Sequence, residues 1–462
     1  MDSICVICGL TCLPIEPQHI PVKSVTMISW ELDPFHTRGG TAYAIRRLAN
    51  QFTGMGIETR VLLPDWLDTH PGNDLTPLLM PVLLKMRGEL RRAPRVLQCS
   101  EFCRLAVEAV EQIAGSDCVI AHSDEGAMFI ILRSRKRSCE PSVFWLHSLY
   151  DPPIEDFSKD QRQLLPSRSL LASAVMTADI VVTSAGILKD AREFEWPDRL
   201  KELQKALTIA SDEHRLLTVE SMGCLPEVPK NSQDKSISVR NVEKLKYVPS
   251  PYVLFPCRPS IDKGFGIFAA IAERLQADNI TCVAVQRPGQ QAMSENLSRS
   301  AFIYWLPWLA QDELLVAVRN AACTVLPSIT EGFGLAAAES ISQGVVTLYQ
   351  QVGGHHGLQT FPNALPVPLT TSERAQLYGL WSELVYIYPD SWPVWARHEI
   401  SLRPLIDKWV DAIRSVVHRA VAGMGGIENA DFPERPVEER WANKLVGEIL
   451  LAQRRQGVKG IL

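Results

Sequence analysis

Short apolar runs alternate with amphipathic stretches along most of the chain, and this alternation starts twice. Val25 to Trp30 reads as a buried strand, followed by a loop carrying Asp33, His36, Arg38, Gly39 and Gly40. Ile45, Leu48, Ala49 and Phe52 then recur at i, i+3, i+4 and i+7, which predicts an amphipathic helix ending near Gly54. Thr59 to Leu63 predicts the next strand, so strand, glycine loop, helix and strand follow one another as a βαβ unit. Three further runs end on polar residues. Cys118 to Ala121 leads into His122-Ser123-Asp124, Val143 to Leu146 into His147-Ser148, and Ile180 to Val182 into Thr183-Ser184. Polar side chains at the carboxyl ends of several strands mark the ligand crevice of an open parallel sheet. His147, flanked by Trp145 and Ser148, has the better claim to that crevice; His122 reads as a hydrogen-bonded structural residue.

Between Pro226 and Pro251 the chain is rich in Pro, Lys, Ser, Asn and Asp, the composition of a linker, and the pattern then restarts. Tyr252 to Phe255 predicts a strand and the segment with Phe268, Ile271, Ala272 and Leu275 a helix. The loop joining them carries Arg258 and Lys263, which can converge on one anion across a loop where a continuous helix would splay them. Strands are expected at Ile280 to Val285 and Phe302 to Trp305, and a helix from Asp312 to Asn320. The tail beyond Pro389 is aromatic and helical. Its tryptophans, Trp392, Trp395 and Trp409, read as packing residues, and a helix from Val437 to Arg454 carries the apolar stripe Trp441, Leu445, Ile449.

The most informative stretch runs from Pro327 to Gly344. The buried run Cys323 to Leu326 enters it, Gly332 and Gly334 make a tight turn, and a helical composition begins at Leu335. Gly344 stands where a left-handed cap would end that helix. A turn of this kind presents free N–H groups and the positive helix end, which suit phosphate. Glu331 and Glu339 suit hydroxyl groups instead, as on a sugar or a ribose. Together they point to a nucleotide-sugar site. Gly353-Gly354 offers a second place where backbone amides could meet a ligand.

Composition narrows the alternatives. The 462 residues are 46% hydrophobic and 21% charged, as in globular proteins with large cores and two or three domains. A net charge of −5 argues against nucleic acid as a partner. No apolar run approaches the roughly 18 residues that span a bilayer, and the N-terminus lacks the pattern of a secretory signal; the cytoplasm is the expected location. Two basic clusters, Lys85 to Arg95 and Arg133 to Arg137, read as solvated faces, with a peripheral contact to the inner face of a membrane left open. Eleven cysteines are present. Cys5, Cys8 and Cys12 have ligand-like spacing but no fourth ligand nearby, so no metal site is expected there.

Arg258-x4-Lys263-Gly264, then Pro327-Ser328-x2-Glu331-Gly332-Phe333-Gly334-Leu335-x3-Glu339, then Gly344 and Gly353-Gly354, resemble the donor half of retaining glycosyltransferases of family four, which are related to bacterial glycogen synthases. The resemblance implies an α/β chain of the GT-B fold, two Rossmann-like domains facing across a cleft, with C-terminal helices returning to the first domain. It implies that Arg258 and Lys263 hold the donor diphosphate with the amides of Gly334 and Leu335, and that Gly39 and Gly40 close over it. Glu331 and His147 would face the transferred sugar and Glu339 the ribose. Cys257 departs from the glycine that usually precedes the arginine, Ser340 from a common alanine, and His355-His356 from the acidic residue often found after the glycine pair.

The expected organisation is an irregular leader (1–24), an acceptor-side domain (25–225), a linker (226–250), a nucleotide-sugar domain (251–390) and crossing helices (391–462). The expected activity moves a sugar, with retention and without metal or other cofactor, from a nucleoside diphosphate sugar to a hydroxyl acceptor: a sugar, glycan, lipid or small metabolite. Two alternatives share the scaffold. One is a catalytically silent sugar-nucleotide-binding protein; the other is a phosphorylase-like or pseudo-glycosyl transferase.

Overall fold

Two parallel sheets of the same design organise the chain. The computed structural model describes residues 22–30, 40–65, 78–89, 95–112, 116–136, 140–147, 149, 162–163, 165–198, 200–219, 243–286, 300–307, 309, 311–384, 392–422 and 437–459. The N-terminal cysteines, Gly39, the linker as far as residue 242 and the glycines at 423–426 lie outside the described residues.

The first sheet contains β1 (Ser24–Ile28), β2 (Glu58–Pro64), β3 (Leu79–Leu84), β4 (Cys118–His122), β5 (Ser142–Leu146), β6 (Ile180–Ser184) and β7 (Leu216–Val219), in the order β3-β2-β1-β4-β5-β6-β7. The second contains β8 (Tyr252–Phe255), β9 (Thr281–Val285), β10 (Ile303–Leu306), β11 (Cys323–Leu326), β12 (Thr347–Gln350) and β13 (Ala364–Val367), in the order β10-β9-β8-β11-β12-β13. All strand pairs are parallel. Every residue of β1, β4, β6, β8, β11 and β12 is buried, because helices cover both faces. The strands are accordingly mostly apolar without strict alternation, with Thr26, Thr183, Thr324 and Gln350 among the buried polar exceptions. In each sheet the order reverses once, between β1 and β4 and between β8 and β11, and that reversal opens a crevice at the strands' carboxyl ends. The fold is GT-B, two Rossmann-like lobes.

The last helix, Val437–Lys459, returns to the first lobe. Leu445 and Ile449 are fully buried in one cluster with Val25, Leu48 and Phe52, and Gln453 donates to the Asp117 carbonyl at 3.0 Å. Trp395 and Trp409 are buried packing residues.

Beyond β2 the first lobe adds the edge strand β3 and the helix Arg95–Gln112. One expectation changes. The cluster around Arg133 is not a solvated face throughout: Arg133 is 5% exposed and bonded to Glu140 at 2.7 Å, and Lys136 pairs with Glu111. Arg133 extends inward from the helix Ser123–Ser134 and so offers little to a membrane. Among the described residues no helix is long and apolar enough to cross one.

Candidate active site

The second lobe's switch point is formed by the loops after β8 and β11, and these carry Arg258, Lys263 and Glu331. The two loops are tied by backbone: Ile329 N–H donates to the Asp262 carbonyl at 2.9 Å. Lys263 Nζ donates to both oxygens of Glu331, at 3.0 and 2.9 Å. Ser328 Oγ and the Gly334 amide also reach that carboxylate, each at 3.3 Å. Burial opposes the charge on Glu331, but Lys263 outweighs it and holds the carboxyl below its ordinary pKa. The same balance, burial against Glu331 and Asp262, leaves Lys263 raised. Both residues are therefore charged at neutral pH.

Arg258 is more open, its side chain 42% exposed, and bonds Asp262 at 3.2 Å and Ser260 at 3.2 Å. The structure thus brings Lys263 to Glu331 and Arg258 to Asp262, two cations at one crevice, each held by a carboxylate. Cys257, at the start of this loop, is buried and its thiol pushed up to about 12 by burial.

Gly334 caps the helix Leu335–Ser342 in the left-handed region, φ 70°, which turns the chain sharply from the Glu331 loop into the helix. Leu335 opens the helix and packs on the first lobe's core; Glu339 stands half-buried about one turn in. Gly344 takes φ 76° just past the helix, as its position predicts.

From the first lobe, His147 arrives directly at this turn. A Cβ on Gly332 would overlap the His147 carbonyl oxygen, so only glycine permits the approach. The His147 ring stacks on Trp145 at 5.2 Å and meets Phe333 edge-on at 5.4 Å. It shares a 2.9 Å hydrogen bond with His122, Nε2 to Nδ1. Burial depresses both imidazoles, His147 to about 3 and His122 well below its ordinary value, so one neutral ring donates to the other. Among the described residues His147 Nδ1 and His122 Nε2 have no partner. His122 is structural, as its sequence suggests, but what it structures is His147.

Gly40 begins the helix Gly40–Gly54, while Gly39 lies outside the described residues. The expectation that the Gly353-Gly354 amides face a ligand is corrected. Gly353 N–H donates to Asp190 Oδ2 at 2.6 Å and Gly354 N–H to the Glu331 carbonyl at 3.1 Å, so both are used inside the protein. Beside them His355 Nδ1 donates to the Gln350 carbonyl at 2.9 Å, leaving Nε2 3.7 Å from Glu331. Burial lowers the His355 pKa, against the pull of Glu331, and the ring is neutral. Asp262 and His355 stand inside motifs legible in the sequence; Asp190 does not.

Residues 241–358, which carry the second lobe's side of this crevice, match the family Glycosyl transferases group 1. Over that span the second lobe is similar to the group 1 glycosyl transferases. Solved structures extend the likeness across both lobes. The catalytic domain of starch synthase IV from Arabidopsis thaliana, bound to ADP and acarbose, is 14% identical with a TM-score of 0.60, over 94% of this chain and 99% of that one. Sucrose-phosphate synthase from Thermosynechococcus elongatus is 15% identical with a TM-score of 0.54, over 93% and 100%. The alpha,alpha-trehalose 6-phosphate synthase from Burkholderia multivorans is 13% identical with a TM-score of 0.51, over 87% and 97%. At such identities the likeness is one of fold. Among curated proteins no sequence matches.

Proposed function

We propose that the chain is a retaining glycosyltransferase that moves a sugar from a nucleoside diphosphate sugar to a hydroxyl acceptor without a metal. The observation that carries this reading is the meeting of Lys263, Glu331 and the Gly334-capped helix start at one switch point, with His147 of the other lobe against the same turn. Arg258 and Lys263 bind the diphosphate with the Leu335 amide and with the Gly334 amide, which exchanges its 3.3 Å contact to Glu331 for the ligand, and Glu339 holds the ribose. In the reaction the bond from the anomeric carbon to the diphosphate oxygen breaks and a bond to the acceptor oxygen forms. The acceptor's proton passes to the departing phosphate. Negative charge grows on that diphosphate, and the cations of Arg258 and Lys263 with the helix-end amides stabilise it. With the acceptor attacking from the leaving-group face, the configuration is kept. Neutral His147 and the Glu331 carboxylate bond the hydroxyls of the transferred sugar in this reading. Gly39 and Gly40 close the first lobe's loop over the diphosphate.

A thermal-shift panel of nucleoside diphosphates and their sugars tests the reading. A ligand of the native state at a hundredfold excess over Kd adds about 2.7 kcal/mol of stability. Slow release of nucleoside diphosphate from the bound donor, unaffected by EDTA, is the expected result. Binding without any turnover would leave a sugar-nucleotide-binding protein instead.

A further inference from the structure

The Gly353-Gly354 turn is held from the other lobe. Asp190 lies on the first-lobe helix Ala185–Glu193 and is 2% exposed. Its carboxylate accepts four hydrogen bonds from the second lobe: from Gly353 N–H at 2.6 Å, His356 Nε2 at 2.8 Å, Arg374 Nη1 at 3.1 Å and Tyr378 Oη at 3.2 Å. Gly186, one helical turn earlier, lies so close that a Cβ on it would overlap the Gly353 carbonyl oxygen. Arg374 is fixed in turn, donating to the Gln351 carbonyl at 2.9 Å and lying 3.9 Å over the Phe194 ring of the first lobe.

A carboxylate buried to this degree costs several kcal/mol in desolvation unless donors surround it. Here the donors come from the opposite lobe, so the carboxylate is satisfied in one relative placement of the lobes. When the lobes part, water replaces those donors, and the net stabilisation of such a buried ionic cluster is small. What the cluster supplies is direction. From Gly353 the constraint passes one residue along to Gly354, whose N–H holds the Glu331 carbonyl at 3.1 Å.

We propose that Asp190 is a positioning residue for glycosyl transfer: it clasps the two lobes and, through the Gly353-Gly354 turn, sets Glu331 against His147. The chemical half of this proposal rests on the transferase reading; the clasp itself does not. The charged groups and helix-end amides assigned to the diphosphate, Arg258, Lys263, Gly334 and Leu335, belong to the second lobe, and only the Gly39-Gly40 loop comes from the first. Loss of the clasp therefore disturbs the placement of His147 against Glu331 and leaves the second lobe's share of the diphosphate site, which holds its cations, in place.

The test uses the full chain with Asp190→Asn, Asp190→Ala and the milder Tyr378→Phe. UDP and ADP binding is measured by calorimetry, lobe separation by small-angle X-ray scattering, and turnover by nucleoside diphosphate release from UDP-glucose and ADP-glucose. In Asp190→Asn one oxygen can still accept from Gly353, but the new amide confronts the donors of Arg374 and His356. The expected result is a larger radius of gyration and a kcat lowered about 10- to 100-fold, as misplacement by about an ångström produces. Affinity for the nucleoside diphosphate stays within about threefold, under one kcal/mol. Tyr378→Phe moves in the same direction by less. Scattering and turnover unchanged in the variants, or nucleoside diphosphate affinity falling in step with turnover, would overturn the proposal. If the Asp190 variants fail to fold, Tyr378→Phe decides it alone. If no nucleoside diphosphate of the thermal-shift panel binds the wild-type chain while the variants still expand, the transferase reading fails and the clasp stands.

Discussion

Lys263 Nζ sits between the two carboxylate oxygens of Glu331, at 3.0 and 2.9 Å, so each residue answers the other's charge inside the crevice. Removing one partner leaves the other desolvated and alone. Lys263→Ala and Glu331→Gln are each expected to destabilise by about 1.5–3 kcal/mol, the range for hydrogen bonds to charged groups. The double variant should lose less than the sum, with a coupling of about 0.5–3 kcal/mol. Urea unfolding of the four proteins measures it, and additive losses would show that the pair is not coupled.

The histidine pair sets a pH dependence. His122 and His147 both have folded-state pKa values below the ordinary 6.5, that of His147 about 3, because burial disfavours the charged rings. As pH falls below 6.5 the unfolded chain takes up these protons and the native one does not. Stability is therefore fully present above 6.5 and declines toward pH 3, by about 1.4 kcal/mol per pH unit for each fully differential proton. Unfolding midpoints from pH 7 to 4 should fall more steeply in the wild type than in His122→Asn. Equal slopes would mean that His122 is already protonated in the native state.

The diphosphate site makes a separate claim. Arg258 is held by Asp262 but its side chain is 42% exposed, so it can turn to an anion at small cost. Arg258→Ala should weaken nucleoside diphosphate binding by about tenfold or more, one charge-assisted hydrogen bond being worth about 1.5–3 kcal/mol. Asp262→Asn, which removes only the holding charge, should weaken it less. Calorimetry with UDP and ADP measures both, and wild-type affinity in Arg258→Ala would place the anion elsewhere.

Much of this site is legible in the sequence because local rules dictate it. Cys323 to Leu326 is an apolar run that must be a buried strand, and Gly334 is a turn residue at the start of a helix. The loop spacing of Arg258 and Lys263 is likewise local, and the family resemblance assigns these residues their roles. Asp190 is a different case. Its helix is an ordinary amphipathic one, and nothing near it in sequence shows that Gly353, His356, Arg374 and Tyr378 will surround its carboxylate. The same holds for the bond from His122 to His147 and for the pairing of Lys263 with Glu331. Arg258, by contrast, finds Ser260 and Asp262 within its own loop. The first two join elements that meet only when the sheets are assembled, and no periodicity or spacing encodes them. Basic runs mislead for the same reason. Arg133 looks like surface until the chain is folded and Glu140 is found beside it.

The two glutamates of the Pro327–Gly344 stretch should fail differently. Glu339 stands about one turn into its helix, away from the turn that His147 meets, and is assigned to ribose hydroxyls. Those contacts are the same before and during the reaction, and uniform binding of that kind is felt mainly in KM. Glu331 lies at the turn itself, where its carboxylate can strengthen its hold as positive charge develops on the anomeric carbon. Its pairing with Lys263 sharpens the contrast. In Glu331→Gln the lysine loses its counter-charge and is freer to meet the diphosphate, so donor binding should be near normal while kcat falls by about 10²–10³, as for other lost electrostatic contacts. Glu339→Gln should bind donor poorly and keep turnover at saturation. Single-turnover kinetics beside calorimetry, with the donor that the thermal-shift panel identifies, separates the two quantities. The opposite pattern would exchange the roles of the glutamates. Unchanged kinetics in both would reduce the stretch to a strand–helix turn with a buried ion pair.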